Sequence, residues 1–207
     1  DGHDGIRDPV GMSGVRLEVD VHLVAGAQGP LQNLKRCARD AGIGVDGIVV
    51  QALASGLSVL SPSEEDITSL LIDIGGGTTD IGVFRRGQLT HSGVIPLGGD
   101  HITQDISQWL RIPPDEAERI KKRYGVALPE MADRDVELEV SNANYTASLS
   151  TFELAQVIQP RAMEILDLVK QNIEQRMGAL ELLAGNVVIT GGASLMPGLD
   201  QVATERF

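Results

Sequence analysis

Residues 70–84 read LLIDIGGGTTDIGVF: an apolar run ending in an acid, three glycines, two threonines, a second acid and another apolar run. The run 70–74 has the length and β-branched content of a buried strand, and the run 81–84 begins too soon for a helix to intervene. The chain must therefore turn at Gly75, Gly76 and Gly77. Glycines let the backbone take left-handed angles and bring consecutive N–H groups to an anion, while the Thr78 and Thr79 hydroxyls add donors. Asp73, at the strand end, is placed to hold a metal through water. Magnesium suits that position, because it keeps several waters and touches one or two carboxylates beside the phosphates it bridges. Gly76→Val is expected to lose phosphate binding most, since valine cannot take the expected turn angles. A P-loop needs a lysine after its glycines and then a helix, and a dinucleotide fingerprint also leads into a helix; the hairpin has neither.

A chain of 207 residues, 42% hydrophobic, buries a real core in one or two domains. The net charge of -12, from 29 acids against 17 bases, opposes unassisted binding to nucleic acid or to an anionic membrane surface. Nucleic acid is therefore not an expected partner. A nucleotide pocket stays compatible, because N–H donors and a metal do that work locally. Cys37 is alone, which removes a disulfide framework and makes a reducing cytoplasm the default. His3, His22, His91 and His101 lack metal-ligand spacing. There is no signal peptide and no apolar stretch of transmembrane length. The chain starts at Asp1 without methionine and stops at Phe207 inside what reads as an unfinished apolar helix, so it is expected to be part of a longer protein.

Outward from the hairpin, residues 15–24 alternate apolar and polar and predict a half-exposed strand. Leu31, Leu34, Ala38 and Ala41 recur at helical spacing, Gly42 closes that helix, and 45–50 predicts a second strand of a β-α-β module. A short helix over 52–60 and a polar breaker over 61–66 precede the hairpin. After it, 94–97 predicts a strand, and Gly98-Gly99-Asp100 opens an amphipathic helix through Ile102, Ile106 and Leu110. The paired glycine suits either close approach to a ribose or phosphate or a plain tight turn. Pro113-Pro114 starts the next helix and Gly125 ends it, with Glu118 and Lys121 on one face and Lys122 beside them. Residues 135–149 predict one or two strands of a smaller sheet. Ser150 with Glu153 makes a capping box, and Pro160 is expected to break or kink the helix that follows. Residues 187–198 predict strand, glycine turn, helix, with the helix N-terminus facing the mouth of the sheet.

Two glycine turns of different type, with a Glu and Lys helix between them, resemble the nucleotide cleft of the actin, Hsp70 and sugar-kinase superfamily. The resemblance implies an α/β, actin-like (ribonuclease H-like) ATPase fold with a small α+β module at the N-terminal end, binding ATP and Mg. It makes 73–80 the second phosphate loop, with Gly75, Gly76, Gly77, Thr78, Thr79 and Gly99 near the phosphates and Asp73 positioning the waters of Mg. Gly191, Gly192, Ala193, Ser194 and Met196 match the adenosine motif, and Glu118, Lys121, Lys122 and Gly125 match the helix at the ribose and adenine edge. Within the superfamily the segments 1–14, 15–50, 54–56, 58–60, 117–121 and Gly125 are similar to the FtsA family of bacterial cell division. That likeness implies part of a 1C-like (SHS2-type) assembly module over 1–52 and the end of a 1A-like subdomain with its connector over 53–68. It further implies a 2A-like nucleotide-binding subdomain over 69–102 and 160–207, and a 2B-like subdomain over 103–159.

Members of that family polymerise and tether the tubulin-like FtsZ to the cytoplasmic face of the inner membrane at the division septum. The likeness thus implies FtsZ as a partner through 103–159, self-association into filaments, and membrane attachment through a C-terminal helix absent from this chain. The family's first phosphate loop is absent too, so the chain alone is expected to bind nucleotide weakly. No residue stands out as a base for activating water, and hydrolysis is expected to be slow or absent. A small-molecule kinase of the same superfamily, or a pilus-assembly or plasmid-segregation relative, shares the cleft and differs in partner.

Overall fold

The computed structural model describes residues 6, 9–19, 21–61, 67–141, 146–177 and 186–207. Its centre is the predicted hairpin. β1 (Ser69–Ile74) pairs antiparallel with β2 (Thr79–Arg85), with Asp73 opposite Asp80 and Ile74 opposite Thr79. β3 (Gln88–Ile95) pairs antiparallel with β2, and β6 (Asn186–Thr190) pairs parallel with β1, giving the order β3-β2-β1-β6. Leu70, Leu71 and Ile72 are buried on both faces of β1, as a continuous apolar run in a covered strand requires. The strand predicted over 94–97 is the end of β3, which begins earlier because Arg86 and Gly87, both at positive φ, close a two-residue hairpin turn.

Helices α1 (Gln28–Asp40) and α2 (Gln51–Val59) precede the sheet. α1 ends as predicted at Gly42, at φ +77, with the Gly42 and Ile43 amides on the carbonyls of Arg39 and Ala38. The strands expected on either side of it, 15–24 and 45–50, are not formed among the described residues. Leu17 is 69% and Leu23 86% exposed, and α1 buries nothing. Alternation specifies a strand's faces but not its ladder, and no neighbouring strand supplies one here. α2 lies close on the sheet: a Cβ on Gly56 would fall 2.1 Å from the Phe84 ring. Of the polar breaker, 62–66 lies outside the described residues.

α3 (Gly99–Leu110) and α4 (Pro114–Tyr124) follow, then the hairpin of β4 (Glu137–Ser141) and β5 (Thr146–Ser150). The capping box forms: the Glu153 amide donates to Ser150 Oγ at 3.2 Å, and the Ser150 amide donates to Glu153 Oε2 at 2.8 Å. It starts α5 (Thr151–Met177), one helix that runs through Pro160 instead of breaking there. Proline cannot donate to the carbonyl of Gln156, and both residues are exposed. The next residue, Arg161, grips Asp105 of α3 with two nitrogens, Nε at 2.7 Å and Nη2 at 3.0 Å, and holds the helix in place.

α5 joins two cores. Leu154 and Ile158 pack with Ile102, Ile106, Ala117, Leu138 and Leu149, while Ala162, Ile165, Leu166, Val169 and Ile173 pack against the four-stranded sheet and α6 (Leu199–Arg206). The hairpin loop sits where the first core meets the second.

Candidate functional site

The loop of the β1–β2 hairpin is Gly75 to Thr78, closed by the Gly75 amide on the Thr78 carbonyl at 2.9 Å. Its carbonyls face α3. The Gly99 amide donates to Gly75 O and the Asp100 amide to Gly76 O, each at 2.9 Å, so the loop caps the first turn of that helix. Each peptide is trans, and a trans peptide sets its N–H opposite its C=O. The Gly76 and Gly77 amides must therefore point away from α3. Gly76, Gly77 and Thr78 are exposed, and their amides carry no hydrogen-bond partner among the described residues. The result is a row of free donors with the geometry of an anion cradle.

None of Gly75, Gly76 or Gly77 uses a positive φ, which corrects the backbone argument for Gly76→Val. A Cβ on Gly76 would sit 3.0 Å from both Asp100 carboxylate oxygens, so a side chain there displaces that exposed carboxylate. Gly98, the first of the paired glycines read from sequence, is closely enclosed by backbone. Its backbone is extended, but a Cβ would lie 2.5 Å from Gly76 O and 2.6 Å from Gly75 O. A Cβ on Gly99 would meet nothing closer than 3.4 Å. Gly99 has its amide on the hairpin, so the plain-turn alternative describes that backbone donor.

Asp73 and Asp80 face each other across the strand pair, each 8% exposed, with no ion-pair partner among the described residues. Asp73 Oδ2 accepts from Ser55 Oγ at 2.7 Å and from Gln51 Nε2 at 3.3 Å, both on α2. Neither donor was singled out from sequence. Burial, and then the Asp73 charge, push the Asp80 carboxyl up, against a hydrogen bond from Thr78. Thr79 turns inward, its hydroxyl on the Leu97 carbonyl at 2.8 Å, and does not join the exposed row.

Beside Asp73, Gly191 is at φ +90, and a Cβ there would lie 2.4 Å from Ile74 O and 2.6 Å from Asp73 Oδ1. Both backbone angle and space demand glycine. A 3-10 turn, Gly192–Leu195, follows in place of the helix expected directly after it; α6 begins only at Leu199. Ser194 Oγ donates back to Gly191 O at 2.7 Å, Gly192 is open, and Ala193 approaches Gly99. Met196 is half-buried and packs against both cores.

Lys121 comes to the same point from α4, its Nζ 2.6 Å from Glu118 Oε2, 2.8 Å from Thr103 Oγ1 and 2.9 Å from Gly99 O. Burial would raise the Glu118 carboxyl, but hydrogen bonds from Lys121 and Thr103 and the ammonium charge hold it below the usual range. Lys122 stands 74% exposed, 3.2 Å from Glu118 Oε1. Gly125 caps α4, its amide on Lys121 O at 2.8 Å, and touches none of the loops. Hairpin, Gly98-Gly99, Lys121 and Gly191–Ala193 thus meet at one place, while Lys122 and Gly125 lie at its edge.

Two outcomes follow for stability. Gly98→Ala costs about 1–3 kcal/mol by urea unfolding, because backbone oxygens cannot yield to its methyl, whereas Gly99→Ala costs less than about 1 kcal/mol. Asp80→Asn raises the thermal midpoint at neutral pH. An acid whose folded value is raised destabilises once pH passes its unfolded value, so this gain disappears on acidification below the carboxylate range.

Comparison with known proteins identifies the fold and the family. A family model described as cell division protein FtsA matches residues 70–207, and one described as the SHS2 domain inserted in FtsA matches 1–25. The chain is 44% identical over 207 residues to cell division protein FtsA of Bacillus subtilis, covering 99% of this chain and 47% of that protein. It is 42% identical over 209 residues to that of Pseudomonas aeruginosa, covering 100% and 50%. The chain spans about half the length of the curated relatives it matches. Among solved structures, MreB5 of Spiroplasma citri bound to ADP superposes with a TM-score of 0.74 at 25% identity, covering 88% of this chain and 59% of that one. A chain of the PilM-PilN type IV pilus biogenesis complex gives 0.63 at 19% identity, covering 86% and 45%. The fold is actin-like, and the chain belongs to the FtsA family of cell-division proteins.

Proposed function

We propose that this chain forms one wall of an ATP cleft in an actin-like scaffold of bacterial cell division. The observation that carries this is the row of unpartnered amides at Gly76, Gly77 and Thr78, the first two turned away from α3 because the Gly75 and Gly76 carbonyls cap it. Two further facts support it: Gly191–Ala193 and Gly99 converge beside that row, and MreB5 was solved with ADP and with AMPPNP. Gly75 to Thr78 hold the phosphates, and Gly191, Gly192, Ala193, Ser194 and Met196 take the adenosine side, with Glu118 and Lys122 at its edge. Thr79, with its hydroxyl on the Leu97 carbonyl, supports the hairpin without facing the ligand, and Gly125 closes α4.

Magnesium fits the acids present. Asp73 and Asp80 are two buried carboxylates without a cation among the described residues, and a carboxylate oxygen holding two donors still has acceptor capacity on its other oxygen. Asp73 would hold the waters of Mg, which neutralises the phosphate charge when bound. The other wall belongs to the part of the relatives that this chain does not span, so the chain alone binds nucleotide weakly. We read 1–52 as part of the assembly module, 53–68 as the connector, 69–102 with 160–207 as the nucleotide-binding subdomain, and 103–159 as the surface for FtsZ. ATP acts as a conformational ligand that favours filament stacking on the cytoplasmic face of the membrane, with turnover slow or absent. No helix among the described residues is long and apolar enough to cross a membrane.

In the full-length protein, Gly76→Val is expected to weaken Mg-ATP binding by tenfold or more, about 1.4 kcal/mol, and Asp73→Ala to remove most of the Mg dependence of that affinity. Calorimetric titration with and without Mg decides this, and unchanged affinity in both variants contradicts the cleft. ATP-dependent pelleting with vesicles and FtsZ tests the scaffold role, which its absence would remove.

A further inference from the structure

We propose that Ser55 is a positioning residue for Asp73: from α2 it fixes the aim of the carboxylate that the cleft reading assigns to the waters of Mg. The proposal rests on that reading and adds a claim about what holds its acid in place. The carboxylate end of an aspartate turns in a broad well, so a place at the end of a strand does not by itself fix its two oxygens. Here each oxygen has a defined neighbour. Ser55 Oγ donates to Asp73 Oδ2 at 2.7 Å, the length of a charge-assisted bond from a hydroxyl. Gln51, one turn earlier and exposed, reaches the same oxygen at 3.3 Å and is the looser of the two. Oδ1 lies toward the glycine turn after β6, where a Cβ on Gly191 would fall 2.6 Å from it. A carboxylate is planar, so the Ser55 bond at Oδ2 also sets the direction of Oδ1.

α2 carries that bond because it lies close on the sheet. Ala52 and Gly56, four apart on one helix face, are both buried. A Cβ on Gly56 would run into the Phe84 ring of β2, and one on Gly82 would stand 3.4 Å from that of Ala52. Small residues at 52, 56 and 82 therefore bring the helix down onto β2, and Ser55, half-buried beside Gly56, reaches the end of β1. Ser55 is also neutral. It orients the carboxylate without cancelling the negative charge that Asp73 and Asp80 present to a divalent cation.

The test uses the full-length protein. At fixed ATP, Ser55→Ala is expected to raise the Mg concentration at half-maximal nucleotide binding by about tenfold, while affinity for ATP in EDTA changes by less than about twofold. Ser55→Thr keeps the hydroxyl and restores the wild-type Mg midpoint. Ser55→Cys, of serine's shape but with a weak donor, behaves as Ser55→Ala and carries the test if the alanine variant does not fold. In an Asp73→Ala background, Ser55→Ala has no further effect on either quantity. An unchanged Mg midpoint in Ser55→Ala, or an equal loss with and without Mg, overturns the proposal. If the wild type binds no ATP, the nucleotide reading fails instead, and urea unfolding without Mg decides the role of Ser55. A loss of stability in Ser55→Ala that vanishes in the Asp73→Ala background upholds the link, and the same loss in both backgrounds removes it.

Discussion

Two hydrogen bonds, from the amides of Gly99 and Asp100 to the carbonyls of Gly75 and Gly76, organise the centre of this molecule. They satisfy the first turn of α3, which would otherwise leave orphan donors, and they orient the loop peptides so that donors face outward. They also tie the sheet core to the core built on α3, α4 and the start of α5. The approach is close enough that Gly98 has no room for a methyl group. Site geometry and the joint between the two cores are therefore one constraint, held in place by backbone atoms.

The electrostatics explain why backbone does this work. With a net charge of -12 the chain has no excess of cations for a phosphate, and the half-buried Lys121 at the site is matched by Glu118. Neutral N–H donors bind an anion without adding charge of their own, and Asp73 and Asp80 bring a negative site that a divalent cation would neutralise. α2 completes the arrangement by holding Asp73 through Ser55 and Gln51.

The hairpin, the helices after Gly98 and Pro113, the capping box and the Glu118–Lys121 pair were legible because each is a local pattern: apolar period, proline at a helix start, residues three apart. Gly98 was not legible, since its requirement comes from carbonyls more than twenty positions away, and adjacent Gly99 carries the same local signal. Ser55 and Gln51 escaped for the same reason. At Pro160 the helix does not break: both Gln156 and Pro160 are exposed, and Arg161 clamps the next residue to Asp105. The strands over 15–24 and 45–50 carry strong alternation, but a ladder depends on partners that no local pattern encodes. None of the hairpin glycines takes a left-handed angle; a side chain at Gly76 would press on the Asp100 carboxylate, whereas Gly77 stands open.

A crystal structure of the full-length protein with Mg and a non-hydrolysable ATP analogue tests the central claim most directly. The account predicts phosphate oxygens within hydrogen-bond distance of the Gly76, Gly77 and Thr78 amides, with the adenosine against Gly191–Ala193. Nucleotide bound elsewhere, with those three amides facing solvent, would contradict it.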